Sequence, residues 1–312
     1  MPQPEISIVI PVFNSRAIIQ VLYNRISAAL SETSHEVILI NDGSSDSSWN
    51  IISDLAKKNT DITAIDLIKN SGQDNAILAG LRNIKGKYVV IMDDDLQHAP
   101  EDIPALYNKC SQGYDVCYAA FIHKRQNILK KTGSKINGGF AGWLLNKPRG
   151  IYMSPFKIIR RNIANEVARF AGPYPYIDGI ILTITNKVCQ LHVDHHERHE
   201  GKSNYNLHRS ASVFFKLFSG FSVAPLRLAA IFGFIISLIG TGLIVRYLIE
   251  YFILKDTVEG WTTIVVLLIF FGGLITMLLG LIGEYIGRIY LTLNNKPQYS
   301  IRETIYSYYE NE

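Results

Sequence analysis

Two long stretches of this sequence contain no charged residue, and they limit what the rest of the chain can be. Residues 228–245 read LAAIFGFIISLIGTGLIV and residues 261–283 read WTTIVVLLIFFGGLITMLLGLIG. A helix crossing a bilayer core needs about 20 apolar residues. The second run meets this, and the first does if it continues into Tyr247 and Leu248. Burying both inside a water-soluble core would take a very large domain, whereas the chain has only 312 residues. A pair of membrane-spanning helices, at about 226–250 and 261–284 within 225–290, is the expectation.

The apolar surplus is therefore concentrated. Charged residues make up 19% of the chain against about 25% in ordinary globular proteins, which excludes a disordered protein, a coiled coil or a basic nucleic-acid-binding tail. The net charge of +4 is too small to imply a polyanionic partner, so no nucleic acid is expected. Three scattered cysteines suggest a reducing compartment and exclude a disulfide scaffold. The apolar run at 6–12 is short and follows Glu5, so it is not a signal peptide. Basic residues flank the two runs (Arg209, Lys216 and Arg227 before, Arg288, Lys296 and Arg302 after), while the connecting loop carries Arg246 and Lys255 against Glu250, Asp256 and Glu259. The positive-inside tendency then puts both ends, and the large N-terminal part, in the cytoplasm of a multi-pass inner-membrane protein.

Residues 1–206 alternate strand-like and helix-like segments. ISIVIPVF, HEVILIN, ITAIDLI, KYVVIMD and YDVCYA are β-rich runs, separated by helical stretches at 17–30, 49–57, 72–84 and 99–110. This order predicts an α/β fold with an open, mostly parallel sheet. Ligands of such sheets bind beyond the carboxyl ends of the strands. Polar groups gather there: Pro11 to Asn14 after the first strand, Asn41 to Asp46 after the second, and Asp93-Asp94-Asp95 after the fourth. Asp42 and Ser44 could equally form a turn and helix cap. Three packed carboxylates repel one another unless a cation or ligand compensates. Asp93 and Asp95 suit Mg²⁺ or Mn²⁺, which bind carboxylate oxygens together with substrate phosphates. Neither G-x-G-x-x-G nor a P-loop is present.

The set SIVIPVFN, NDGSSD, NSGQDNAILAG, MDDDLQHAPEDIP and GYDV resembles, in order and spacing, glycosyltransferase family 2 with its GT-A fold. HHERHEGKSNY, the PLR before the first apolar run and GLIGEYIGRIY after the second resemble the polyprenyl-phosphate type within it. The resemblance implies a metal-dependent, inverting transfer of a sugar from a nucleotide-sugar, UDP-linked in the relatives, to polyprenyl phosphate. It implies Pro11, Asn14 and Asp42 at the base and ribose, Asp93 and Asp95 on the metal, Asp94 beside ribose or sugar, and Gln97 near the donor. Arg125 and Lys131 match basic positions in the family's mobile region, and Arg198 and Lys202 match its phosphate-contacting segment. Lys131, Arg198 and Lys202 are implied in donor binding, and Arg125 and Asp95 join the catalytic set. A homo-oligomer, a tetramer in the family, is also implied.

Two departures from the family pattern matter. Ser15 replaces a usual Glu, and Ile151 stands where many relatives carry an Asp proposed as catalytic base. Either Asp178 supplies that carboxylate from another loop, or no base is needed because a phosphate acceptor is already anionic; a hydroxyl acceptor would want one. His192, His195, His196 and His199 lack cysteine support and the HExxH pattern, so zinc is not expected. Residues 207–224 mix four phenylalanines with basic residues, as an interfacial amphipathic helix would. Arg209 and Lys216 there, with Arg227 before the first apolar run and Arg288 after the second, are candidates for the acceptor phosphate, and 291–312 is expected to be a cytoplasmic tail. The alternatives are a transferase with a hydroxyl acceptor, such as a lipid-linked saccharide, and a non-catalytic membrane scaffold.

Overall fold

The first strand is apolar at nearly every position, and a strand of that kind must be covered on both faces. In the computed structural model, which describes residues 3–121, 148, 150–193, 224–249, 260–294 and 296–306, β1 (Ile6–Val12) is buried along its whole length. It lies inside an eight-stranded sheet with β2 (His35–Asn41), β3 (Ile62–Leu67), β4 (Tyr88–Ile91), β5 (Val116–Phe121), β6 (Lys157–Arg160), β7 (Val188–Val193) and β8 (Ile301–Ile305), in the order β7-β5-β6-β4-β1-β2-β3-β8. The pairs β1–β2, β2–β3, β1–β4 and β5–β7 are parallel, and β6 and β8 run antiparallel to their neighbours.

Helices cover both faces. Ile6, Ile8 and Ile10 join a core with Ile19, Leu22 and Ile26 of α1 (Ile19–Ala29) and Ile52 of α2 (Ser48–Lys58). On the other face α3 (Gln73–Leu81) comes so close that a Cβ at Gly80 would lie 2.5 Å from Val9 Cγ1 and 2.8 Å from Ile40 Cδ1. The glycine is what lets helix and sheet touch. Next come α4 (Ile103–Ser111), α5 (Arg161–Ala168) and α6 (Ile177–Ile184). From β1 the chain goes to β2 and β3 on one side and then to β4 on the other, which opens a crevice beyond the carboxyl ends of β1 and β4.

Met1–Ser210 and Lys296–Glu312 form one compact unit, and Ala211–Asn295 a second. The stretch after the second apolar run is therefore not a separate tail. Ile301–Ile305 pairs antiparallel with β3 as β8, covering main-chain groups that a bare edge would leave unpaired. The second unit contains α7 (Ala224–Ile249) and α8 (Trp261–Leu293). Among the described residues one stretch, Phe270–Leu293, is long and apolar enough to cross a membrane, with mean hydropathy 1.6 and none of it buried; Ala229–Gly240 of α7 is a shorter apolar stretch. The expected pair of spans thus reduces to one by this measure.

Candidate active site

Three loops meet at the carboxyl ends of β1, β2 and β3, and their polar residues interlock. Asn14 takes a left-handed conformation (φ 56°), which Asn tolerates better than most residues. Its amide donates to Ser44 Oγ (3.0 Å) and its side-chain oxygen accepts from the Ser45 amide (2.8 Å). Gly43 (φ 64°) is pressed so tightly on the third loop that a Cβ would lie 2.4 Å from the Asn70 nitrogen. Asp42, almost fully buried, accepts the Ser71 amide on Oδ1 (2.7 Å) and the Gly72 amide on Oδ2 (3.0 Å). Burial pushes its pKa up, and the two amides partly offset this.

The three aspartates after β4 reduce their mutual repulsion by turning to different partners. Asp93 Oδ1 accepts from Gln73 Nε2 (2.6 Å), Asp94 Oδ2 from the Phe13 amide (3.2 Å), and Asp95 Oδ1 from the Gln97 amide (3.1 Å). Burial raises the Asp94 pKa; hydrogen bonds from Ser15 and Phe13 oppose it, and the neighbouring Asp95 charge adds to it. Leu96 (φ 57°) turns the chain sharply after this run, a conformation that costs a non-glycine residue about 1–3 kcal/mol. The Asp93 amide donates to His98 Nδ1 (3.2 Å), and the buried His98 ring stacks on Phe121 and Phe156.

These loops line a cleft of about 340 Å³. Of the residues expected at the site, Pro11, Asp42, Asp93, Asp94 and Asp95 are on its wall. Asn14 holds the loops together behind it, and Gln97 contributes its main-chain amide to Asp95. Phe13, Asn70, Gly72 and Gln73 also line the cleft, and reading the sequence alone gave them no role. Phe13 is 49% exposed and shows its ring to solvent. The segment NSGQDN, which carries the other three, was the available signal.

Asp178 is not among the cleft-lining residues. It sits in the first turn of α6, where Oδ1 takes the Lys157 ammonium in a short contact and the Tyr118 hydroxyl at 3.1 Å. Lys157 lies opposite Tyr118 on β5 and Ile91 on β4, is almost fully buried, and stands over the Tyr118 ring. Burial and the Asp178 charge push the Tyr118 and Tyr176 hydroxyls above their ordinary range. Asp74, adjacent to the cleft-lining Gln73, faces the same cluster. Burial raises its pKa to about 6; Lys157 lowers it, Asp178 raises it, and the Ile177 amide lowers it.

Arg125, Lys131, Arg198, Lys202, Arg209 and Lys216, with His195, His196 and His199, lie outside the described residues. Arg227 and Arg288 fall within α7 and α8, but their side chains are outside the description. His192 is exposed on β7, and Cys110, Cys117 and Cys189 are free and buried.

Among the described residues no three His, Cys, Asp or Glu side chains come together as a metal-binding group. Asp93 and Asp95 provide two carboxylates on one wall. That donor set fits a hard cation that keeps waters and takes its remaining ligands from a substrate phosphate.

Residues 7–172 match the family model for glycosyl transferase family 2. The chain belongs to that family, and it is a glycosyltransferase with a GT-A type sheet. More particularly, it is similar to the undecaprenyl-phosphate 4-deoxy-4-formamido-L-arabinose transferase of Aeromonas hydrophila subsp. hydrophila, 33% identical over 311 residues, 97% of this chain and 94% of that one. The enzyme of the same name from Photorhabdus laumondii subsp. laumondii is 32% identical over 306 residues, covering 96% and 94%. In fold it is similar to glucosyl-3-phosphoglycerate synthase of Mycobacterium tuberculosis, crystallised with Mn²⁺, uridine diphosphate and phosphoglyceric acid, with a TM-score of 0.52, 17% identity and coverage of 69% and 76%.

Proposed function

We propose that the chain transfers a sugar from a UDP-linked donor to polyprenyl phosphate at the cytoplasmic membrane face, inverting the anomeric centre. The observation that carries this reading is the cleft at the β1/β4 crevice, with Asp42 held by two main-chain amides and Asp93 and Asp95 on the wall. The names of the similar enzymes supply the acceptor class. Asp42 and the exposed Phe13 ring suit a nucleoside, the carboxylate accepting hydrogen bonds and the ring offering a flat apolar face. Asp93 and Asp95 would hold Mg²⁺ or Mn²⁺, which when bound stabilises the charge on a departing diphosphate.

In the proposed step an acceptor phosphate oxygen attacks the anomeric carbon. The bond from that carbon to the donor diphosphate breaks, and the nucleoside diphosphate leaves with the electron pair. No proton need move, because a phosphate monoester is already an anion near neutral pH. Ile151 at the usual base position, and an Asp178 engaged by Lys157 and Tyr118, favour this over a hydroxyl acceptor, which would require a general base. The expectations that remain proposals are Arg125 in the catalytic set, Lys131, Arg198 and Lys202 in donor binding, Arg209, Lys216, Arg227 and Arg288 on the lipid phosphate, a multi-pass anchor and a homo-oligomer.

The test uses membranes containing wild type or Asp95→Asn, supplied with labelled nucleotide-sugars and polyprenyl phosphate. Label should reach the lipid with wild type and be nearly lost with the variant. Unchanged transfer by the variant would overturn the metal assignment, and transfer only to hydroxyl acceptors would overturn the acceptor class.

A further inference from the structure

Asp42 depends on two loops, and both are held from behind by one residue of the last strand. Arg302 Nη1 donates to Asp66 Oδ2 (2.9 Å) and Nη2 to the Ile68 carbonyl (3.1 Å). On the first arm the fully buried Asp66 accepts Asn41 Nδ2 on its other oxygen (2.6 Å), and Asn41 Oδ1 accepts the Ser44 amide (3.3 Å). Asn41 directly precedes Asp42, and Ser44 Oγ anchors Asn14. On the second arm Ile68, also bonded through its amide to the Ser300 carbonyl (2.9 Å), begins the segment that ends in the Ser71 and Gly72 amides on Asp42.

We infer that Arg302 is a positioning residue for donor binding, fixing Asp42 and its amide partners through Asp66 and Ile68. The inference rests on the proposal that the cleft takes a nucleotide-sugar. The simpler account is that β8 merely closes the sheet edge and Arg302 forms a surface ion pair. The Arg302 side chain is indeed 59% exposed, so its Coulombic contribution is screened. Geometry separates the two accounts. Asp66 is fully buried and, among the described residues, has no cation other than Arg302 as a hydrogen-bond partner, and the guanidinium fork reaches one atom on each arm. A lysine supplies a point charge and lacks that fixed fork.

The experiment compares full-length wild type, Arg302→Gln, Arg302→Lys and Tyr299→Phe in detergent. UDP affinity with Mg²⁺, thermal stability, and KM for the nucleotide-sugar and for polyprenyl phosphate are measured on each. Tyr299 lies on the same returning segment and accepts a hydrogen bond from Arg82 Nη1 (2.6 Å), a contact that involves neither Asp66 nor Ile68. Arg302→Gln should weaken UDP binding roughly 3- to 30-fold, the usual range for a mutation along a coupling network. The donor KM should rise in parallel and the lipid KM stay unchanged, with partial recovery in Arg302→Lys. Tyr299→Phe should lower the melting temperature and leave UDP affinity alone. If Arg302→Gln lowers only the melting temperature, or both variants shift UDP binding equally, the positioning role is overturned while the cleft reading stands. If wild type binds neither UDP nor any other nucleoside diphosphate, the reading of the cleft falls first and takes the inference with it.

Discussion

The protein holds two carboxylates near the same end of its sheet by opposite means. Among the described residues Asp42 is compensated by main-chain amides alone, 2.7 and 3.0 Å from its oxygens, and it lines the cleft. Asp178 is compensated by a buried ammonium and a buried phenol and does not line it. Fixed amide dipoles leave the net negative charge in place and leave lone pairs for a ligand. A lysine cancels the charge and makes the pair part of the packing. Local surroundings, more than residue type, decide which aspartate can meet a substrate and which braces the strands around it.

This contrast can be broken from either side. The largest expected effect is on the bracing side: Lys157→Met leaves Asp178 without its cation and should destabilise the protein by about 3–5 kcal/mol, measured by denaturant unfolding. If stability holds and only activity falls, Lys157 belongs to the chemistry instead. On the cleft side, Asp95→Asn should cut sugar transfer by on the order of 10²–10³ with little change in melting temperature. Asp42→Ala leaves the Ser71 and Gly72 amides without an acceptor and should weaken nucleotide affinity roughly 10- to 100-fold, read by titration with UDP. Full retention of binding would remove Asp42 from the donor site.

The smallest effect sharpens the boundary between the two regions, at Asp74. Its folded pKa of about 6 lies above the ordinary 3.8, so the folded state holds this proton more tightly than the unfolded chain does. The associated stability is fully present below about pH 4 and lost as pH rises through about 6. Asp74→Asn does not titrate, so the variant should be more stable than wild type by about 1–2 kcal/mol at pH 7–8, after allowance for partial solvent exposure. The difference should disappear below pH 4. Denaturant unfolding of both proteins across pH 4–8 checks this, and a pH-independent difference would refute it.

Much of the cleft was legible in the sequence because its signals are contiguous. Asp93 to Asp95 follow the apolar run VVIM directly, and β2 ends in Asn41 and runs straight into Asp42-Gly43, so local order alone places them at strand ends. The pieces that escaped are set by distant partners. Lys157 and Tyr118 meet Asp178 across 21 and 60 positions, which no local pattern reports. Strand β6 is only four residues long and runs against the parallel trend. Strand β8, IRETI, is five residues beyond the apolar runs, and only the open edge of β3 gives it a reason to be a strand. Phe13 escaped because an aromatic residue after a buried strand ordinarily belongs to the core, and here the turn at Asn14 leaves it exposed.

The pairing of β3 with β8 also orders events during synthesis. Arg302 and Asp66 are 236 positions apart. At about 5–20 residues per second, a ribosome needs roughly 10–50 s to travel between them. Throughout that interval the nascent sheet has a bare edge and a buried-to-be carboxylate without its partner. Both long helices, α7 and α8, are made before the closing strand, so the sheet is completed last.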